Sequence, residues 1–230
     1  MEAALFTMPQ RRSGQMNFET IANHLSISYL SSLLRLGCNM QSQQTMSGQK
    51  YDLKLLPEIM EMIQSGAYQH IPAITLYYHC YNAIEQLGQA QIETSEQSFQ
   101  QLKPLIAQHW TLFPPAEIRD IYLFAINYCI KRLNAGDQKF IREAFELFRS
   151  GLENETLLDE GVLSSFTYKN ITRLGMALLE TEWVEHFLEN YKKYLHPRER
   201  ENTWRYNLAF FYFQQQNYQP YEEKHKAGFR

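Results

Sequence analysis

Tyr206-Asn-Leu-Ala-Phe-Phe-Tyr-Phe-Gln-Gln-Gln-Asn-Tyr218 decides how this chain is read. Its first half is a dense aromatic helix, and Gln216-Asn217-Tyr218 reads as the turn that would send the chain back along it. A helix with aromatic side chains on nearly every side cannot stand alone in water; it needs neighbours on more than one face.

Upstream, the apolar spacing is helical nearly everywhere. Phe18, Ile21, Leu25, Tyr29 and Leu33 recur every three or four residues, with Gly37 as the expected stop and Asn39 to Lys50 as a polar loop. A second helix through Leu55, Ile59, Met62 and Ile63 carries Pro57 in its first turn and closes at Gly66. Pro72 opens a third, through Ile74, Tyr77, Tyr78, Tyr81 and Ile84, expected to end at Gly88. Thr94 with Gln97 suggests a capping box for the fourth, and Pro104 inside it predicts a kink or a break. Pro115 starts a fifth, apolar on two faces: Ile118, Ile121, Ala125, Tyr128 and Arg132 on one, Leu123, Ile126 and Ile130 on the other. Gly136-Asp137 turns the chain, with Asp137 expected as cap, into a helix with Phe140, Ala144, Leu147 and Phe148. After an acidic linker over 152–163, Ser164 or Ser165 caps a helix with Ile171, Leu174 and Leu178. Thr181-Glu182-Trp183 is expected as its turn, Trp183, Phe187 and Tyr191 pack the return helix, and Pro197 begins the helix of the opening stretch. The period and the absence of alternating runs predict an all-α protein of five helical pairs, the last incomplete.

A repeat emerges when the first turns of the second helices are aligned. Leu56, Phe99, Phe140, Trp183 and Tyr218 stand at intervals of about 43, 41, 43 and 35 residues, close to the unit lengths of stacked helical arrays. On this reading residues 1–16 are a frayed start and 17–230 one helical-repeat domain.

The C-terminal stretch resembles the first helix of a tetratricopeptide repeat. Asn207, Leu208, Ala209, Tyr212, Gln216, Asn217 and Tyr218 occupy places of that pattern, while Tyr221 stands where the family has a small residue. The resemblance is good over about 164–218 and loose over 54–150. It implies a right-handed α-solenoid of stacked hairpins, whose first helices line a concave groove for a peptide or protein. Carried over, that groove would be lined by Thr203, Tyr206, Phe210, Phe213 and Gln214, with Asn170 and Arg173 from the preceding unit.

Composition narrows the function classes. A net charge of −3 gives no electrostatic footprint for nucleic acid. No uninterrupted apolar run is long enough to cross a membrane and no signal sequence is evident, so the expected setting is cytoplasmic. Cys38, Cys80 and Cys129 are odd in number, far apart and set in apolar helical stretches, which suits small buried hydrophobes. No Gly-rich phosphate loop, His-Glu-x-x-His pair, Cys-x-x-Cys or Gly-x-Ser-x-Gly elbow is present, so neither catalysis, cofactor nor metal is expected. His79-Cys80 are neighbours pointing about 100° apart on a helix, a poor metal pair. Glu182, Glu185 and Glu189 form an acidic ridge read as a solvated face, and the tyrosines 77, 78, 81, 122 and 128 read as core. An interaction module is therefore expected. The alternatives are a subunit that self-associates through an open C-terminal end, where Phe210 and Phe213 would be left uncovered, and, further off, an enzyme on a helical scaffold.

Overall fold

The computed structural model describes residues 18–85 and 92–226, and the described residues form an all-α fold with no strand. Nine α-helices follow one another among them. These are α1 (Phe18–Ser47), α2 (Leu56–Gln64), α3 (Pro72–Glu85), α4 (Ile92–His109), α5 (Pro115–Asn134), α6 (Phe140–Glu153), α7 (Ser165–Ala177), α8 (Thr181–Asn190) and α9 (Arg200–Lys226). The expected frayed start and the stop at Gly88 lie outside the described residues.

Several boundaries follow from local chemistry. Pro57 and Pro115 sit in the first turns of α2 and α5, where a missing N–H costs nothing. Gly66 leaves α2 at φ +110, a conformation that a side chain resists. Ser164 caps α7, its hydroxyl accepting from the Thr167 N–H at 3.0 Å.

Other boundaries correct the sequence reading. Gly37 is no stop: α1 runs through it to Ser47, so most of the expected loop is helix. The bare glycine instead lets two elements approach, since a Cβ there would stand 2.9 Å from Leu56 and 3.3 Å from the Tyr81 ring. Helix α4 is already under way at Ile92, which places Thr94 inside it rather than at a capping box, and it runs unbroken through Pro104. Asp137 does not cap α6; its carboxylate accepts from Arg132 at 2.6 Å, and Lys139 holds the cap position. Thr181 to Trp183 is the first turn of α8, not the connection before it. The last helix starts at Arg200 rather than Pro197 and continues through Gln216-Asn217-Tyr218 to Lys226. The expected closing turn is therefore helix, and four pairs are followed by one long helix.

Helices α3 and α4, α5 and α6, and α7 and α8 pack as consecutive pairs. The first helices also meet across pairs, α1 on α3, α3 on α5, and α7 on α9. Helix α5 is covered on two sides as its composition demands, with Ile121, Ala125 and Tyr128 buried on one face and Phe124 and Ile126 on others. The core is aromatic: the Phe99 and Tyr128 rings stack at 4.7 Å, with Phe140 edge-on to both. Tyr77, Tyr81, Tyr122 and Tyr128 are buried, as core tyrosines should be.

One regularity runs through the side-chain contacts between pairs. The Cys38 thiol donates to the Tyr77 carbonyl, the Gln41 amide to the Tyr81 hydroxyl and the Tyr77 hydroxyl to Glu117 at 2.7 Å, with sequence separations of 39, 40 and 40. Lys103 with Glu143, Arg119 with Asp159, and Arg142 with Glu180 follow at 40, 40 and 38. These contacts join residues 38–40 apart in sequence, a little less than the 41–43 residues that separate the first four aligned turns.

Candidate functional site

Helices α7 and α9 flank an open groove of about 450 Å³. Ser165, Phe166 and Lys169 line it from α7; Asn202, Thr203, Tyr206 and Asn207 line it from α9. Phe166, Lys169 and Arg173 stand at i, i+3 and i+7, which puts them on one helix face. Across from them, Tyr206 and Phe210 are one turn apart on α9.

The two faces meet through cations and rings. The Lys169 ammonium lies 5.7 Å from the Tyr206 ring centre, and the Arg173 guanidinium 5.9 Å from that of Phe210. Arg173 also donates to the Tyr206 hydroxyl at 3.4 Å. Among the described residues neither cation has a carboxylate partner within ion-pair distance, in a protein whose net charge is negative. Asn207 is only 1% exposed; its amide nitrogen donates to the Thr203 carbonyl at 2.8 Å, and its carbonyl Oδ1 has no partner. An unpaired buried acceptor costs about 1–3 kcal/mol.

Of the residues that the resemblance implied, Thr203 and Tyr206 line the groove, and Phe210 and Arg173 stand against each other beside it. Asn170 and Gln214 are half-buried and do not line it, and Phe213 is exposed away from it. Sequence reasoning missed Ser165, Phe166, Lys169, Asn202 and Asn207 as groove residues. The signal for two of them was available in the shared face of Phe166, Lys169 and Arg173.

Elsewhere the chemistry is quiet. Cys38, Cys80 and Cys129 are buried and unpaired, and burial raises all three thiols. Desolvation lowers His79, which is half-buried beside the Tyr78 ring. Glu182, Glu185 and Glu189 are exposed. No group of three or more His, Cys, Asp or Glu among the described residues is placed to hold a metal. No helix among them is long and apolar enough to cross a membrane. No family model, curated protein or solved structure shows a significant match to the chain.

Proposed function

We propose that the protein is a non-catalytic interaction module, a right-handed solenoid of stacked helical hairpins that docks an extended peptide segment of a partner between α7 and α9. The recurrence of side-chain contacts at 38–40 residues supports the stacking, because each contact joins one helical unit to the next. The observation that carries the docking role is the groove itself, where Lys169 and Arg173 stand over aromatic rings without carboxylate partners. Phe166 and Tyr206 offer apolar surface, and the two cations offer charge. A segment with a carboxylate next to an apolar residue answers both, and its negative charge suits two cations better than a basic or purely apolar segment.

A displayed library of random dodecapeptides selected on the purified chain tests the reading. Enriched peptides should carry Asp or Glu beside an aromatic or aliphatic residue. Their affinity should fall at least tenfold on Lys169→Glu and on Tyr206→Ala, and stay unchanged on Lys54→Glu, far from the groove. Absence of enrichment, or equal binding to all four proteins, would refute it.

A further inference from the structure

The walls of the groove between α7 and α9 keep one register. Ser165 and Asn202, Phe166 and Thr203, and Lys169 and Tyr206 are each 37 residues apart, and so are Arg173 and Phe210 just beyond. Because both cation–ring contacts hold that offset, the two helices run parallel here and advance together. The groove is therefore a row of matched stations. Phe166 with Thr203 forms the first, Lys169 against the Tyr206 ring the second, and Arg173 against the Phe210 ring the third.

The second and third stations carry like charge. Lys169 and Arg173 are one turn apart on α7, a spacing at which two cations repel. Elsewhere this protein surrounds such groups with acid: Arg35, Lys103 and Arg132 each meet two carboxylates within ion-pair distance. Acid is not scarce, with 25 Asp and Glu against 22 Lys and Arg in the chain. Yet among the described residues no carboxylate comes within ion-pair distance of either groove cation, and their counter-charge is left to an arriving group.

The spacing of the stations selects that group. At about 1.5 Å per residue, Lys169 and Arg173 lie about 6 Å apart along α7, and the row from Ser165 to Arg173 is about 12 Å long. An extended chain advances about 3.3 Å per residue and turns alternate side chains to one face, so same-face residues lie about 6.6 Å apart. Two carboxylates at alternate positions therefore fall on the two cations. In an adjacent pair, or a pair three residues apart, one carboxylate points away from the groove. The next residue on the matched face falls within about 2 Å of Phe166 along the axis, where an apolar side chain fits.

We infer that the groove takes an extended segment with two carboxylates at alternate positions and an apolar residue two further positions along, on the same face. This rests on the docking role proposed above and adds the spacing of the motif: the apolar neighbour of a carboxylate on the bound face is two positions away in sequence.

Four heptapeptides of one composition test it, blocked at both ends so that no terminal charge contributes. Leu-Ser-Glu-Ser-Glu-Ser-Leu carries the motif in either direction. Leu-Ser-Glu-Glu-Ser-Ser-Leu, Leu-Glu-Ser-Ser-Glu-Ser-Leu and Leu-Glu-Ser-Ser-Ser-Glu-Leu set the two acids one, three and four positions apart. Affinities come from backbone amide chemical shifts of the full chain, titrated with each peptide into the millimolar range. The alternate isomer should bind about three- to fivefold more tightly than the others, each of which gives up one half-exposed charge pair. Lys169→Gln and Arg173→Gln, with unchanged circular dichroism, should each abolish that preference. Equal affinities for all four isomers, a preference that survives Arg173→Gln, or tightest binding of the four-apart isomer, the spacing of a helical ligand, would overturn the inference. In those cases binding that still weakens on Tyr206→Ala would leave the docking role standing. Shifts with none of the peptides, or binding indifferent to Tyr206→Ala, would remove the docking role and the inference with it.

Discussion

Gly175 should not tolerate even a methyl group. It lies near the end of α7, facing α8 and α6, and a Cβ built there would stand 2.4 Å from Val184 Cγ2 and 3.0 Å from Phe145 Cε2. Neither neighbour is a free end that can swing aside. Val184 is β-branched and fully buried, and the buried Phe145 ring is held edge-on to Trp183 at 4.9 Å. Overpacking of this kind costs about 1–3 kcal/mol. Alanine in a helix returns at most about 1 kcal/mol, and less this close to the end. Gly175→Ala should therefore lose about 1–2 kcal/mol, which in a chain of this size lowers the melting temperature by about 3–6 °C. Val184→Ala alone deletes two buried methyl groups and should cost about 2 kcal/mol. In the Gly175→Ala background the same deletion opens room for the new methyl group, so its cost should fall by about 1 kcal/mol. Urea unfolding followed by helical circular dichroism on the four proteins of that cycle gives the coupling directly. A Gly175→Ala protein as stable as wild type, or strictly additive costs, would refute this account of the junction.

Arg132 is mostly buried and binds Asp137 at 2.6 Å and Glu96 at 3.4 Å, while covering the Phe140 ring, so Arg132→Ala should destabilise by about 1–3 kcal/mol in chemical denaturation. Desolvation pushes the Asp137 carboxyl up, but the hydrogen bond from Arg132, the charges of Lys139 and Arg132 and the Lys139 backbone N–H together hold it below its usual range. A depressed folded value stabilises the protein above the unfolded one, near pH 4, and that stability is lost as pH falls further. The acid-side decline in melting temperature should therefore be shallower for Asp137→Asn than for wild type. The three buried thiols should react negligibly with a thiol reagent at pH 8 in the native protein and fully, three per chain, in denaturant. Immediate reaction of one native thiol would contradict its placement.

The sequence was most legible where one residue had one physical use. Pro57, Pro72 and Pro115 were read correctly as first-turn residues, because the ring and missing N–H suit that place, whereas Pro104 lies inside α4. The two-sided apolar pattern of α5 could only mean burial between neighbours. Reading failed where a residue type has two uses that sequence does not separate. Glycine ends helices by adopting positive φ, as Gly66 does, and it also lets helices touch, as Gly37 does against Leu56 and Tyr81. Only the position of the second helix distinguishes the two. Aspartate after a turn can cap or can pair, and at residue 137 the pairing wins because Arg132, five residues earlier, is buried and needs a carboxylate. Gln214 to Asn217 holds neither glycine nor proline, so nothing local forces the chain out of the helical conformation, and α9 continues where a turn was expected. The groove was half legible for a related reason. Thr203 and Tyr206 could be placed by likeness to a repeat helix, but Lys169 gains its meaning from the Tyr206 ring 5.7 Å away on another helix. A cation without a carboxylate near it becomes visible only when its whole surroundings are known. That is why Lys169 came from the structure, whereas Thr203, Tyr206 and Arg173 could be named from the sequence.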